Sequence, residues 1–259
     1  MILQSTIFSY SPEIFEKVYK EIYSQIFQEH YPANHQAIIL GGQPGAGKSF
    51  QSLLYRDSFY HIDGDSYRAS HPFFREIQKL GPDSLPEHTQ AFSNQVVERL
   101  INDLSSEGVN LIVEGTLRNP AVPLRTRNLL MDRGYSVSLQ VVVRSAVDSW
   151  LSTLDRYLFA KQNNAPARLV PLDKYQYTIR HLAFNIKYLE DLRAFPDIKV
   201  FSSGKQLYPG IEYSSASETV SAVLNLKEWN RFLPTIQEMK PEEYISNLDL
   251  LKSERGKLR

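Results

Sequence analysis

The sequence predicts an α/β fold, a parallel sheet covered by helices on both faces and followed by a C-terminal helical extension. Three observations predict it. Strand-like runs at 37–40, 58–62, 111–113, 137–143 and 198–201 alternate with stretches of helical periodicity, the pattern of parallel strands joined by crossover helices. The first run leads straight into Gly42-Gln43-Pro44-Gly45-Ala46-Gly47-Lys48-Ser49, which fits G-x-x-x-x-G-K-S. With 42% hydrophobic residues, a chain of 259 residues can bury a sizeable core. A buried strand, a glycine-rich turn and a helix start make the G-K-S string a phosphate-binding loop. The expected architecture is therefore of the P-loop nucleoside-triphosphatase and kinase type.

Taken in order, 12–31 places Ile14, Phe15, Val18, Tyr19, Ile22 and Ile26 at helical spacing, so an N-terminal helix within 1–35 is expected to precede the first strand. A helix over 49–56 follows the loop, and the strand at 58–62 ends in Asp63-Gly64-Asp65. Pro72, Gly81-Pro82 and Pro86 break the next stretch into turns and short helical pieces. From Glu87 a longer helix carries Phe92, Val96, Leu100 and Leu104 on one stripe, with Gly108 just beyond its end. The strand at 111–113 ends in Glu114-Gly115-Thr116, and a helix over 122–133 stops at Gly134. After the strand at 137–143, a helix begins at Val147 with Leu151, Leu154 and Leu158 inward. The polar stretch 163–171 is expected to be a loop, 174–195 a helix and 198–201 the last central strand. The tail over 215–259 opens with the capping-box pair Ser215 and Glu218, and Pro234 and Pro241 divide it into short amphipathic segments. With no repeat and no low-complexity linker, one domain is expected over 1–259: a core over 36–214, which includes a lid at 155–172, and the tail.

Charge and composition exclude several classes. Lys+Arg and Asp+Glu both total 29, so no overall field favours long nucleic acid or an anionic membrane. The absence of cysteine removes disulfides, thiolate chemistry and Cys-ligated zinc, and the six histidines show no metal-ligand spacing. Met1-Ile2-Leu3-Gln4-Ser5 shows no secretory leader, and no apolar run approaches the roughly 20 residues of a membrane helix. A soluble, cytoplasmic protein is expected.

The chemistry-bearing residues gather at strand ends, where open α/β sheets bind ligands. In the loop Gly42-Gln43-Pro44-Gly45-Ala46-Gly47, the backbone N–H groups of the residues other than proline surround a phosphate, Lys48 reaches the β- and γ-phosphates, and the Ser49 hydroxyl holds Mg²⁺. Asp63 and Asp65 are two apart and face one side in extended backbone. One can orient an attacking hydroxyl while the other touches a metal-bound water, although Asp-Gly-Asp equally suits a plain turn. Glu114, Thr116 and Arg118 offer an acceptor, a hydroxyl and a planar guanidinium, a set suited to a polyhydroxylated, phosphate-bearing acceptor or to a solvated connection. Arg156 lies opposite the leucine stripe of its helix and Arg168 in the polar loop, either as surface charges or as lid residues over a triphosphate. Glu98 lies off its helix's apolar stripe.

Three strings carry a likeness to a known family: Leu40 through Ser49, Ile62-Asp63-Gly64-Asp65-Ser66-Tyr67-Arg68 with His71-Pro72, and Asn110 through Arg118. Val122-Pro123, Thr126, Gly134-Tyr135 and Leu151-Ser152-Thr153-Leu154-Asp155-Arg156-Tyr157 continue it in order. Together they resemble the zeta toxin family of bacterial toxin–antitoxin systems, in its PezT-like branch, over roughly 38–171. The resemblance implies an ATP- and Mg²⁺-dependent kinase of the 3′-hydroxyl of the amino sugar in UDP-N-acetylglucosamine. Its product inhibits cell-wall synthesis, and a small antitoxin is its partner. By position, the resemblance makes Asp65 the general base. It places Glu98, Glu114, Thr116, Arg118 and Thr126 along the sugar-nucleotide site and Arg156 and Arg168 on the triphosphate. Ser49 stands where the family often has threonine, which keeps the hydroxyl, and the alignment around Arg168 needs a one-residue gap. A kinase for another nucleotide-containing acceptor or a polynucleotide end, and a non-kinase ATP-dependent switch, are the alternatives.

Overall fold

Five parallel strands and one antiparallel edge strand form a single mixed sheet in the order β2-β3-β1-β4-β5-β6. They are β1 Gln36–Gly41, β2 Tyr60–Ile62, β3 Leu111–Glu114, β4 Ser136–Val142, β5 Ile198–Ser202 and β6 Lys205–Tyr208. The computed structural model describes residues 7–26, 31–81, 84–163, 165 and 167–258. The leader reading at 1–5, the end of the expected first helix at 27–30, and Pro82 and Pro166 lie outside the described residues.

Central β1 shows why both faces are covered. Ala37 and Ile39 join the large core cluster, while the alternating Ile38 and Leu40 join a second one with Ala46, Ile112 and Val142. A strand buried on both faces needs helices on both. The smaller cluster is closed by Tyr55 and Phe59, just beyond α2 (Lys48–Leu53). On the other face, α1 (Pro12–Ile26) docks on α4 (Ser84–Ser106) through Phe15 against Phe92, Tyr19 Oη to Asp103 (2.8 Å), and Arg99 to Glu16 (3.0 Å). Between β2 and α4 lie a 3-10 helix at Gly64–Ser70 and the short α3 (Phe74–Lys79).

The remaining helices are α5 (Ala121–Asp132), α6 (Ala146–Gln162), α7 (Leu172–Asp191), α8 (Ala216–Leu224), α9 (Leu226–Ile236), α10 (Pro241–Ser246) and α11 (Leu248–Lys257). The tail is fastened to α6 and α7 by an aromatic knot in which Trp229, fully buried, meets Tyr175 at 5.3 Å and Trp150 at 6.3 Å. Ion pairs Arg255–Asp148 and Lys252–Asp155 tie α11 to α6.

Four expectations are corrected. The sheet is not wholly parallel, because β6 returns antiparallel through a two-residue turn in which Ser203 (φ 49°) and Gly204 (φ 79°) both take left-handed backbone. The long helix starts at Ser84, not Glu87: Pro86 sits in its first turn, where an N–H would have no intrahelical partner. Pro234 lies inside α9 rather than dividing two segments, while Pro241 does begin α10. At the tail's capping pair, Ser215 accepts from Glu218 N as expected, but the Glu218 carboxylate reaches back to Ser214 N instead of Ser215 N.

Candidate active site

Register brings the three strand ends together. Leu40 is level with Glu114 and Ile62 with Val113, so the phosphate-binding loop, Glu114 and Asp63 leave the sheet side by side. Gly42, Gly45 and Gly47 all have positive φ (144°, 76° and 100°). At Gly42 a Cβ would sit 1.9 Å from Val142 O, so glycine is required there by space as well as by backbone conformation. Gln43 is fully buried and braces the loop from below, its Nε2 donating to Arg144 O (2.6 Å) and Ser149 Oγ (3.2 Å), while its Oε1 is unpartnered.

Lys48 is nearly buried. Its ammonium donates to Gly42 O (3.1 Å) and Gln43 O (3.3 Å) and lies 3.6 Å from Glu114 Oε1. The other Glu114 oxygen lies 3.1 Å from His61 Nε2. Burial pushes the Glu114 pKa up, but the His61 contact and the Lys48 charge outweigh it and hold it below the ordinary value. Ser49 is exposed next to this group, and its hydroxyl makes no hydrogen bond among the described residues. That free hydroxyl is a hard oxygen donor of the kind that Mg²⁺ takes. Among the described residues no cluster of three or more His, Asp and Glu side chains is placed to hold a metal ion.

Asp63 and Asp65 take different parts. Asp63 caps the 3-10 helix, accepting from Asp65 N (3.0 Å) and Ser66 Oγ (3.0 Å). Asp65 is gripped by two arginines. Arg168 donates to both of its oxygens, Nη1 to Oδ1 at 2.7 Å and Nη2 to Oδ2 at 2.5 Å, and Arg68 Nε donates to Oδ1 at 2.9 Å. Arg68 is itself buried and anchored on α4 by Thr89 Oγ1 (3.0 Å) and Gln90 Oε1 (2.6 Å). A cavity of about 310 Å³ opens beside the pair, lined by Asp65, Arg156 and Arg168 on its charged side and by Phe74, Leu85 and Tyr157 on its apolar side.

The expected residues therefore converge only in part. Asp63, Asp65, Glu114, Arg156 and Arg168 lie within electrostatic reach of one another, and Lys48 of the phosphate-binding loop joins them at Glu114. Arg156, expected to point away from the core, does so and lines the cavity. Thr116 and Arg118 are exposed on the same strand-end loop as Glu114. Glu98 is exposed on α4 with no hydrogen bond or ion pair among the described residues, and Thr126 on α5 bonds its own helix at Val122 O (3.2 Å). The structure does not join these two to the cluster. Sequence reasoning missed His61 and Arg68 as parts of the site. Both had a signal: His61 lies two residues before Asp63 and shares its strand parity, and Arg68 lies three residues after Asp65, one turn of a 3-10 helix.

The arrangement sets a pH dependence. Partial burial raises the Asp65 pKa, yet the charges of Arg168, Arg68 and Arg156 more than offset it and keep the carboxyl below its ordinary value. Its stabilising contribution is complete above the unfolded pKa and is lost as pH falls through the lower folded one. Asp63 has the opposite sign: burial, then the Glu114 and Asp65 charges, raise its pKa, so ionising it costs stability as pH climbs through the unfolded value. Arg168→Gln removes the largest charge holding Asp65 down. The acid limb of its thermal-unfolding profile, below about pH 5, should then begin at higher pH than in the parent. Coincident acid limbs would mean that the Arg168–Asp65 fork does not persist in solution.

Known proteins resemble this chain over most of its length. The family model described as Zeta toxin matches residues 21–211. Toxin PezT of Streptococcus pneumoniae is 36% identical over 203 residues, 75% of this chain and 79% of that protein. Toxin zeta of Streptococcus pyogenes is 31% identical over 220 residues, 81% and 76% of the two chains. A solved chain from the PezAT chromosomal toxin–antitoxin system of Streptococcus pneumoniae superposes with a TM-score of 0.73 at 28% identity, covering 96% of this chain and 98% of that one. With the phosphate-binding loop, the Asp65 cluster and the Glu114 loop all inside the matched span, the chain belongs to the zeta toxin family.

Proposed function

We propose that this protein is an ATP-dependent kinase that phosphorylates the 3′-hydroxyl of the amino sugar of UDP-N-acetylglucosamine, a toxin that thereby inhibits cell-wall synthesis and is held in check by a cognate antitoxin. The observation that carries the reaction is the placement of Asp65, a carboxylate held by Arg68 and Arg168 that lines a cavity and lies within electrostatic reach of Glu114, the partner of Lys48. Bound ATP supplies the γ-phosphoryl group; Ser49 would hold Mg²⁺, which would supply positive charge against the phosphates. Lys48 faces the transferring phosphoryl group, Asp65 takes the proton of the attacking hydroxyl, and Arg156 and Arg168 stabilise the developing charge. For Asp65 to act, Arg168 must pass from its carboxylate to the phosphates, an exchange of one anionic partner for another. Glu114, Thr116 and Arg118 receive the acceptor, the first two through hydroxyls and the arginine through the diphosphate. Glu98 and Thr126 are assigned to the sugar nucleotide on the family likeness.

The test is to incubate protein and ATP·Mg²⁺ with a panel of UDP-sugars and nucleotides and look for the mass gain of one phosphoryl group. A gain on UDP-N-acetylglucosamine is expected. A gain on another acceptor would revise the substrate, and ATP hydrolysis without any phosphorylated acceptor would favour a nucleotide-dependent switch. Arg118→Ala should weaken UDP-N-acetylglucosamine by about 10- to 150-fold, the loss of one charge-assisted hydrogen bond, and leave ATP affinity nearly unchanged. Isothermal titration of each ligand decides it; equal weakening of both would move Arg118 to the ATP side.

A further inference from the structure

The loop that carries Thr116 and Arg118 is held in a conformation its own sequence does not favour. Leu117 has φ 54°, left-handed backbone that a leucine adopts rarely and at a cost. Three contacts hold it there. Gly115 N donates to Leu40 O at 2.9 Å. The buried Leu117 side chain packs on Gly41, where a Cβ would lie 2.1 Å from Leu117 Cδ1. Finally, Asn185 on α7 donates from one Nδ2 to both Leu117 O and Arg118 O, each at 2.9 Å.

Asn185 is out of character for its place. It is buried on the inward face of α7 beside Leu182, Ile186 and Leu189, all fully buried. A leucine there would favour the helix more and bury no amide. Such a local exception marks a residue kept for something other than helix stability. Its amide has two hydrogens, and the two carbonyls it meets lie on either side of Arg118, one in the Leu117–Arg118 peptide link and the other in the Arg118–Asn119 link.

We infer that Asn185 is a positioning residue for the phosphoryl acceptor: by clamping these two carbonyls it fixes the left-handed turn at Leu117 and so aims Arg118 and Thr116, without touching the acceptor itself. The inference rests on the proposed reading that this loop receives the acceptor. Remove the donor, and two carbonyls lose their partner while the leucine is free to relax from positive φ. The loop then repacks, and the acceptor loses its place while the phosphate-binding loop, braced by Gln43, does not.

The test compares Asn185→Leu, near-isosteric but without donors, with Leu189→Ala, a cavity in the same helix away from the loop. Asn185→Leu should raise the acceptor KM about tenfold, as misplacing one charged hydrogen-bond donor would, and leave the ATP Kd within about twofold. Amide exchange at 115–118 should quicken in the ligand-free variant, and Asn185→Ser, which keeps one donor, should fall between. Leu189→Ala should lower Tm at least as much yet leave acceptor KM and exchange at 115–118 unchanged. If both variants raise the acceptor KM alike, or Asn185→Leu leaves exchange at 115–118 unaltered, Asn185 is merely structural and the inference fails while the kinase reading stands. If the parent phosphorylates no acceptor, the reading of the site fails and takes this inference with it.

Discussion

Lys48→Ala should cut phosphoryl transfer by roughly 10³-fold or more at saturating ATP, because it removes the cation that faces the transferring charge in a cleft with little water to replace it. Lys48 contributes little apolar packing. Its ammonium rests on two carbonyls of its own loop and 3.6 Å from Glu114. The fold should survive, since Glu114 keeps His61 as a partner. Lys48→Met, which retains the stem, separates loss of charge from loss of packing. Steady-state product formation, with circular dichroism as the check on folding, measures the effect. Near-parent turnover in both variants would make the loop structural and remove the basis of the kinase reading.

Asp65→Asn should lower phosphoryl transfer by about 10²–10⁴-fold, the usual range for a general base, while ATP binds at least as well as in the parent. The second half of that expectation comes from the ion pairs. Asp65 occupies both arms of the Arg168 guanidinium, and a neutral amide releases that arginine to the triphosphate. Asp63→Ala should be milder. Asp63 supports Asp65 through its backbone N–H and does not meet the acceptor on this reading. Single-turnover rates and ATP titrations on both variants distinguish the roles: an indispensable Asp63 beside a dispensable Asp65 would reverse the assignment.

What could be read from the sequence was whatever is fixed locally. The phosphate-binding loop follows from its glycines and Lys-Ser, and Asp63 and Glu114 follow from being placed at the ends of apolar strands in a parallel sheet. The Asp65–Arg168 fork was not legible from spacing, because its partners stand 103 residues apart and meet only when the loop after α6 folds over the sheet end. The same holds for Asn185, 68 residues from Leu117, where nothing in the helical pattern of 174–195 says what the amide faces. β6 is a different case. Lys205–Tyr208 is too short and too exposed to show as a strand by periodicity, yet Ser203-Gly204 between two extended runs is a recognised signal for a two-residue hairpin. The start of α4 was displaced by treating Pro86 as a breaker when it stood in the one turn of a helix that tolerates proline.

The contact between Gly41 and Leu117 bears on how such a chain can change over generations. One residue ends the strand before the phosphate-binding loop and the other lies in the loop after Glu114, and they share a single volume. A methyl group at 41 has nowhere to go while leucine occupies 117, whereas a smaller side chain at 117 leaves only a void beside glycine. The two positions can therefore be altered in one order and not the other, the far loop first. A mutational path that begins at 41 meets a steric barrier at its first step, and a lineage exploring new acceptors by varying 117 opens, as a by-product, freedom at the root of its nucleotide loop.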